Sequence, residues 1–582
     1  MCNVGHRNVG LLVMIALTSG ATGCAALRDF IVPPDSQQHA KIQQTVARYA
    51  SLIVDNVHVN GQRRAIALRA GQIAAVAPMA EVSQLRGTNT RVVDGHGGHA
   101  MAGLVDGEVE LLSAAMLRDA IDLRGVSDEA ELRHRLGGGR ELLRGDDWIW
   151  ARDLDAAMAG RLSGIDLVRL APDLPVLITF ASGDGALVSR TLLNLLPAQL
   201  RRPVEASGGR IGATLTRAVL RNLPEPRPSR LKPLLVQVLT GLRDRGVTTV
   251  QVMGASPLVW NTLIELERDR RLDLRCEIFL DGRHKGTEAV LRERELAARP
   301  KARSTHVPGA WRPRRVQLVG VEYWLDGGLD DHSAALSEDY ADASGRGDPL
   351  PTDADLASWL RRADQLDLQL ALHATGDAAL SQAVRLLEGA RRSPSKPPVR
   401  LNQVTVVPPA LLARLARLNV VVGILAPTRR SVALAALRLG EQRGQWAVQG
   451  LPLAAECTVV LGSGLPGRRA RPWRTFLSLT GGAGNPSPGA SPWRPAQVLA
   501  AMQSDHLGRR PGLAVGTRAD LVVWDRPWLT AGGPPRAAMV IVDAAVVSED
   551  RLSAGAVPVE ADAEQDADAP AQLPEMPTPT AP

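Results

Sequence analysis

The stretch "GHAMAGLVDGEVELLSA", Gly98 to Ala114, decides how the rest of the chain is read. It is apolar through Leu104 and Val105 and then alternates Asp106, Gly107, Glu108, Val109, Glu110. Residues i and i+2 of a strand share a face, so the pattern predicts a strand leaving a core with Glu108 and Glu110 side by side. Strand ends of this kind often carry a metal-binding His-x-His pair. Here the pair reads Glu-x-Glu.

Working outward, the chain has 582 residues, enough for a large catalytic-type domain and a smaller one. Apolar content of 45% and charged content of 22% place it among globular proteins. The net charge of +7 comes almost wholly from arginine, since the lysines are Lys41, Lys232, Lys285, Lys301 and Lys396. The arginines are scattered and lack interleaved aromatics, so no nucleic-acid partner is expected.

At the start, Arg7 precedes an apolar run from Leu11 to Leu17 and then "TSGATGC", ending at Cys24. This is the plan of a secretory signal peptide, too short to span a bilayer. "ATGC" resembles a bacterial lipobox, which implies cleavage after residue 23 and lipidation of Cys24. The reading is a signal peptide over 1–23, a lipidated tether over 24–48 and a cell-envelope location anchored to a membrane. Ala25 is not the aspartate of an inner-membrane retention signal, which favours the outer membrane. Cys276 and Cys457 sit in apolar strand-like runs and read as small buried thiols with no disulfide framework. The Ala, Pro, Asp and Glu-rich segment 555–582 reads as disordered.

Short alternating strands follow Ser51, and β-rich segments recur at "GLAVGTRADLVVWD" (512–525) and "AAMVIVDAAVV" (537–547). Both chain ends could complete one small sheet. Between them, apolar strand-like runs alternate with helical ones, from "GVTTVQVMG" (246–254) to "CTVVLGSGLP" (457–466). Repeated β–α units predict an α/β fold with a parallel barrel. A doubly wound sheet is the alternative, but no glycine-rich phosphate loop follows a first strand. "GSGLPG" lacks the Lys-Ser or Lys-Thr that a phosphate loop carries.

"GVTTVQVMG", "WLDGGLDDHSAAL", "LHATGDAAL", "VVPPALLARLARLNVVVGILAP" and "RRPGLAVGTRADLVVWD" resemble, in order, the amidohydrolase superfamily, specifically its amidohydrolase family 3, formamide deformylase-like branch. The resemblance implies a (β/α)8, TIM-like barrel over 105–510 and a small β-sandwich built from 49–104 and 511–550. It also implies a hydrolase of non-peptide C–N bonds whose metals sit at the C-terminal ends of the barrel strands.

The resemblance places this chain's residues on the family's site one by one. Glu108 and Glu110 stand where the first strand normally has two histidines. Glu322 stands where the fourth supplies a metal-bridging lysine, and His373 keeps the histidine of the fifth. Gln403 replaces a histidine after the sixth strand, Gly464 replaces the aspartate that serves as metal ligand and general base, and Asp184 replaces a substrate-site histidine.

Amide hydrolysis by such a site needs a metal-activated water and a polarised carbonyl. With one histidine kept and no base at Gly464, two readings stand. In one the protein is non-catalytic or altered in activity, with a binding or scaffold role, a small-molecule ligand and no cofactor. In the other Glu108, Glu110, Glu322 and His373 form a rebuilt, oxygen-rich site for a divalent cation such as Mn²⁺, Mg²⁺ or Ca²⁺. Close carboxylates cannot all ionise cheaply, so either their pKa values rise or a cation enters. His96 and His99 read as surface residues of the small β unit, Asp377 as a helix-start carboxylate, and Asp330, Asp331 and His332 as a loop able to line the mouth.

Overall fold

A computed structural model describes residues 48–549 except 146, 163–166, 168, 184, 299–314, 448–456, 467–469, 482–492, 511 and 530–532. Eight strands run parallel and in chain order: β1 (Leu104–Val109), β2 (Val247–Ala255), β3 (Arg275–Asp281), β4 (Val316–Trp324), β5 (Gln369–His373), β6 (Val399–Asn402), β7 (Val420–Leu425) and β8 (Thr458–Gly462). Each pairs with the next from β1 to β8. β8 then returns beside β1. The Ser463 amide donates to Asp106 Oδ1 at 2.8 Å and the Gly464 amide to the Glu108 carbonyl at 3.1 Å. Gly462 makes this approach possible, because a Cβ there would lie 2.8 Å from the Glu108 nitrogen. The result is a nearly closed TIM-like barrel.

The outward faces of the strands are Val, Leu and Ile that pack against an outer layer of helices, including Pro257–Arg268, Asp353–Gln365 and Asp377–Gly389. Helix starts follow local chemistry. The Ser256 hydroxyl accepts from the Val259 amide, and the Thr352 hydroxyl from that of Asp355. The inward faces are more polar. Gln251, Glu277, Gln369, Arg400 and Asn402 are all essentially without exposed surface. Between them, Met253, Phe279 and Ala371 form a small apolar plug.

The two chain ends meet in one sheet, as the β-rich segments led us to expect, and among the described residues they form that single sheet and not the separate β-sandwich that the resemblance implies. His99–Ala102 pairs antiparallel with Leu521–Trp524, and eight strands from both ends form a single mixed sheet. It seats on the barrel through Trp524, whose buried indole lies against Gly246. Gly246 has φ +79°, and any side chain there would collide with the ring. His58 and His99 stack within this sheet and His96 occupies an exposed turn, so these histidines belong to the small β unit.

Residues 105–510 do not form the barrel alone. Between β1 and β2 lies a five-stranded sheet of Ile121–Asp122, Ile149–Leu154, Val176–Phe180, Gly185–Val188 and Arg210–Gly212, with its own buried core around Leu123, Leu132, Ile149 and Ile178. These residues fall within the 105–510 span expected for the barrel, and apolar runs such as "PVLITFASG" carry no local sign that they leave it. Its last helix, Ala213–Asn222, is fastened to the loop after β4: Arg217 pairs with Asp331 at 2.6 Å and with Asp348 at 3.3 Å, and donates to the Ser333 hydroxyl.

Candidate functional site: an acidic barrel mouth held by amides

The strand ends of β1, β4 and β5 carry Glu108, Glu322 and His373, each with 2% or less of its surface exposed. Glu110 departs from the expected pairing. The strand ends at Val109, and Glu110 is the N-cap residue of helix Leu111–Arg118, where it accepts from the Ser113 hydroxyl at 3.2 Å. It therefore leaves the face that Glu108 occupies, although Glu322 still feels its charge.

The carboxylates are held by side chains of β6 and its end. Gln403 Nε2 donates to Glu108 Oε1, and Asn402 Nδ2 donates to Glu322 Oε1 at 2.9 Å. Gln403 reaches Glu108 from a backbone at φ +51°. Beneath them Arg400 is completely buried. Its guanidinium donates to Asn402 Oδ1 at 3.0 Å, to Gln251 Oε1 and to the Gly107 carbonyl at 2.5 Å, and its Cζ sits 5.7 Å from the Phe279 ring centre. Gly423 leaves room for it, since a Cβ there would meet Asn402 Oδ1 at 2.5 Å and Arg400 Nη2 at 2.8 Å.

The polar chain continues through the barrel. Gln251 donates to Glu277 at 3.2 Å, and Glu277 also faces His506 Nδ1 at 3.0 Å and Arg518 at 3.2 Å.

The electrostatics follow from this packing. Burial, then the charge of Glu322, push Glu108 up to about 7. Burial also raises Glu322 and Glu110, and brings Asp106 to about 6. Burial alone would lower His373, but Asp326, Glu322 and Glu108 outweigh it and hold it raised. His373 Nδ1 stands 3.5 Å from Asp326 Oδ1, too far for a formed hydrogen bond. Asp326 is committed elsewhere, accepting from the amides of Ala335, Thr375 and Gly376 at 2.9, 2.9 and 2.7 Å. The imidazole lies flat on Trp324, 4.0 Å between ring centres and 5° between planes.

These residues do not fit a metal. Among the described residues no group of three or more His, Cys, Asp or Glu side chains could hold one. The donor set gives the reason. An oxygen of Glu108 and one of Glu322 each receive an N–H, and the strongest cationic influence is Arg400 on Glu108 and His373 on Glu322. Metal ligands present lone pairs, whereas carboxamide N–H groups and a guanidinium present protons.

The sequence profile of the amidohydrolase family matches residues 91–476, more than half of the chain. The chain belongs to the amidohydrolase family. A curated relative, Protein LONG AFTER FAR-RED 3 of Arabidopsis thaliana, is 24% identical over 359 residues, spanning 56% of this chain and 57% of the relative. Among solved structures, an uncharacterized metal-dependent hydrolase from Pyrococcus furiosus is 22% identical with a TM-score of 0.66, covering 82% of this chain and 100% of its own. One from Pyrococcus horikoshii OT3 is 21% identical, also at 0.66, covering 82% and 98%. These likenesses establish the shared fold.

The remaining sequence-predicted positions fall as follows. Gly464 has φ +72°, and its Cβ position lies 2.8 Å from Leu425. Asp377 begins helix Asp377–Gly389 and accepts from the Ser337 amide at 3.1 Å. Asp331 and His332 are taken up by Arg217 and, at 3.1 Å, by Asp342. Asp184 and Cys24 lie outside the described residues. Sequence reasoning missed Arg400, Asn402 and Asp326. The signal for the first two was present: in "PVRLNQ", a charge and an amide alternate with apolar residues inside a barrel strand. Asp326 lay in the quoted "WLDGG".

Proposed function

We propose that this chain is an amidohydrolase-fold protein that binds a small molecule and does not hydrolyse amides through a metal. The observation that supports the reading is the clamp of Gln403 and Asn402 amides over Glu108 and Glu322, with Arg400 as the buried cation beneath. A hydrolytic site would instead leave lone pairs for a metal and a base for its water. At the position that the family resemblance assigns to that base, Gly464 offers no proton acceptor. The decisive experiment purifies the full chain without added metal, measures its metal content, and assays N-acyl and formamide substrates. The expected result is no bound zinc and no turnover. Turnover that a chelator abolishes and zinc restores would overturn the reading.

The envelope location is part of the same proposal. Its support is the basic start, short apolar run and "ATGC" that precede the folded body. The Cys24 thiol would carry the lipid, and the barrel would work at a membrane surface. Labelled palmitate should enter the full-length protein and not a Cys24→Ala variant. Incorporation that persists in the variant overturns it.

A further inference from the structure

Above the acidic floor, the rim of the mouth is built differently. Arg221 comes from the last helix of the inserted module, and Arg283 from the turn after β3. Both lie over the indole of Trp324, their Cζ atoms 4.5 and 5.0 Å from its centre. The module and the barrel each contribute one guanidinium to one aromatic platform.

We propose that Arg221, Arg283 and Trp324 form a binding site for the oxyanion group, carboxylate or phosphate, of a small ligand at the rim of the barrel mouth. The argument begins with stacking. A guanidinium lying over an aromatic ring keeps its N–H groups free at its edges, and Arg suits planar or bidentate oxyanion recognition for that reason. Two guanidiniums over one ring repel each other, so the arrangement gains when an anion enters.

The neighbouring acids Glu110 and Asp281 attract Arg221 by charge, but neither is hydrogen-bonded to it. Asp281 stands 3.6 Å from Arg283 Nε, too long for a hydrogen bond, and its Oδ1 accepts from the Arg283 amide at 2.8 Å. Glu110 receives the Ser113 hydroxyl. No hydrogen-bonding carboxylate reaches Arg221 among the described residues. By contrast Arg217, one turn earlier on the same helix, is occupied by Asp331, Asp348 and Ser333 and serves to hold the helix in place.

The electrostatics agree. Arg221 is exposed in surface area yet crowded by surrounding protein, and that crowding, then repulsion from Arg283 and Arg217, brings it down to about 10. His373 beneath the indole fixes the platform by flat stacking. The rim would thus orient a ligand by its anionic end, with the remainder lying toward the mouth.

This inference rests on the proposed binding role and names the chemistry of the ligand. The full chain is titrated separately with inorganic phosphate and with benzoate at constant ionic strength, and heat of binding and melting temperature are read. Saturable binding of at least one probe is expected, weakened tenfold or more in Arg221→Gln and in Arg283→Gln. It should be unchanged in Arg140→Gln, an exposed arginine of the inserted module. Phosphate binding alone identifies a phosphoryl ligand, benzoate binding alone a carboxylate ligand, and either supports the site. Absence of saturable binding by both probes, or equal weakening by Arg140→Gln, overturns it. Amide turnover is assayed on the same preparations. Turnover with binding overturns the non-hydrolytic reading and leaves the rim site, whereas no turnover with no binding overturns the rim site alone.

Discussion

Asn402 Nδ2 donates to Glu322 Oε1 at 2.9 Å, and the other end of the same amide, Oδ1, accepts from Arg400 Nε at 3.0 Å. One carboxamide therefore relays a buried carboxylate to a buried guanidinium without direct contact between the charges. The geometry commits both ends of Asn402. It makes Arg400 the buried cation beneath Glu108 and Glu322: burial lowers its pKa, and the attraction of both acids opposes that without reversing it.

Removing that cation should be severe. In Arg400→Met the carbonyl of Gly107 and the side-chain oxygens of Gln251 and Asn402 lose their donor, and Glu108 and Glu322 lose their counter-charge. Breaking a buried charge arrangement from one side costs about 3–5 kcal/mol. Urea unfolding should show a loss of that order. Glu108→Gln combined with Arg400→Met should recover part of it, because one of the two stranded carboxylates is then gone. A single variant as stable as the parent chain would show that Arg400 balances nothing.

The opposite end of the barrel makes an acid-pH prediction. Burial works against ionisation of Glu277, but His506 and Arg518 outweigh it and hold its pKa at about 2. Its folded pKa is thus below the unfolded value of about 4.3. The stability it contributes is fully present above that unfolded value and is lost as pH falls toward 2, and a shift of this size is worth about 3 kcal/mol. In Glu277→Gln, the fall in melting temperature between pH 5 and pH 3 should be shallower than in the parent. Identical pH slopes would remove Glu277 from the account.

The legibility of these features in the sequence differs by kind. All eight barrel strands and their order could be read, because buried parallel strands are long apolar runs separated by helical segments, as in "GVTTVQVMG" and "NVVVGILAP". The meeting of the chain ends in one sheet was legible for the same reason. The inserted module was not, since its strands carry the same local signal and only pairing reveals that they leave the barrel. At the site, the family resemblance put Glu108, Glu322 and His373 at the ends of barrel strands, where they lie. It put Glu110 there as well, but the strand ends one residue before it. The Arg400 network was hidden because hydrogen bonds such as Arg400 to Gln251 join residues far apart in the chain, and no local pattern announces them.

Glu108 decides between an empty acidic mouth and a rebuilt cation site. Its buried Oε2 has no hydrogen-bond partner, and neither does His373 Nδ1, so both are atoms that a cation could satisfy. Without a cation its pKa is held at about 7 by burial and by Glu322, above its unfolded value of about 4.3. Between these values the folded protein binds more protons than the unfolded chain, so stability falls as pH rises and reaches a penalty of about 4 kcal/mol above the folded value. Glu108→Gln removes the titrating group and can still accept from Gln403 through its carbonyl. It should raise the melting temperature at pH 8 and change it little at pH 4, in protein free of added metal. Mn²⁺ or Ca²⁺ should leave the melting temperature of the parent flat. A cation bound at this cluster would instead stabilise the fold by RT ln(1 + [L]/Kd), about 2.7 kcal/mol at a hundredfold excess over Kd. The parent would then melt higher with metal, Glu108→Gln would lose that gain, and the mouth would have to be read as a carboxylate site in spite of its amide clamps.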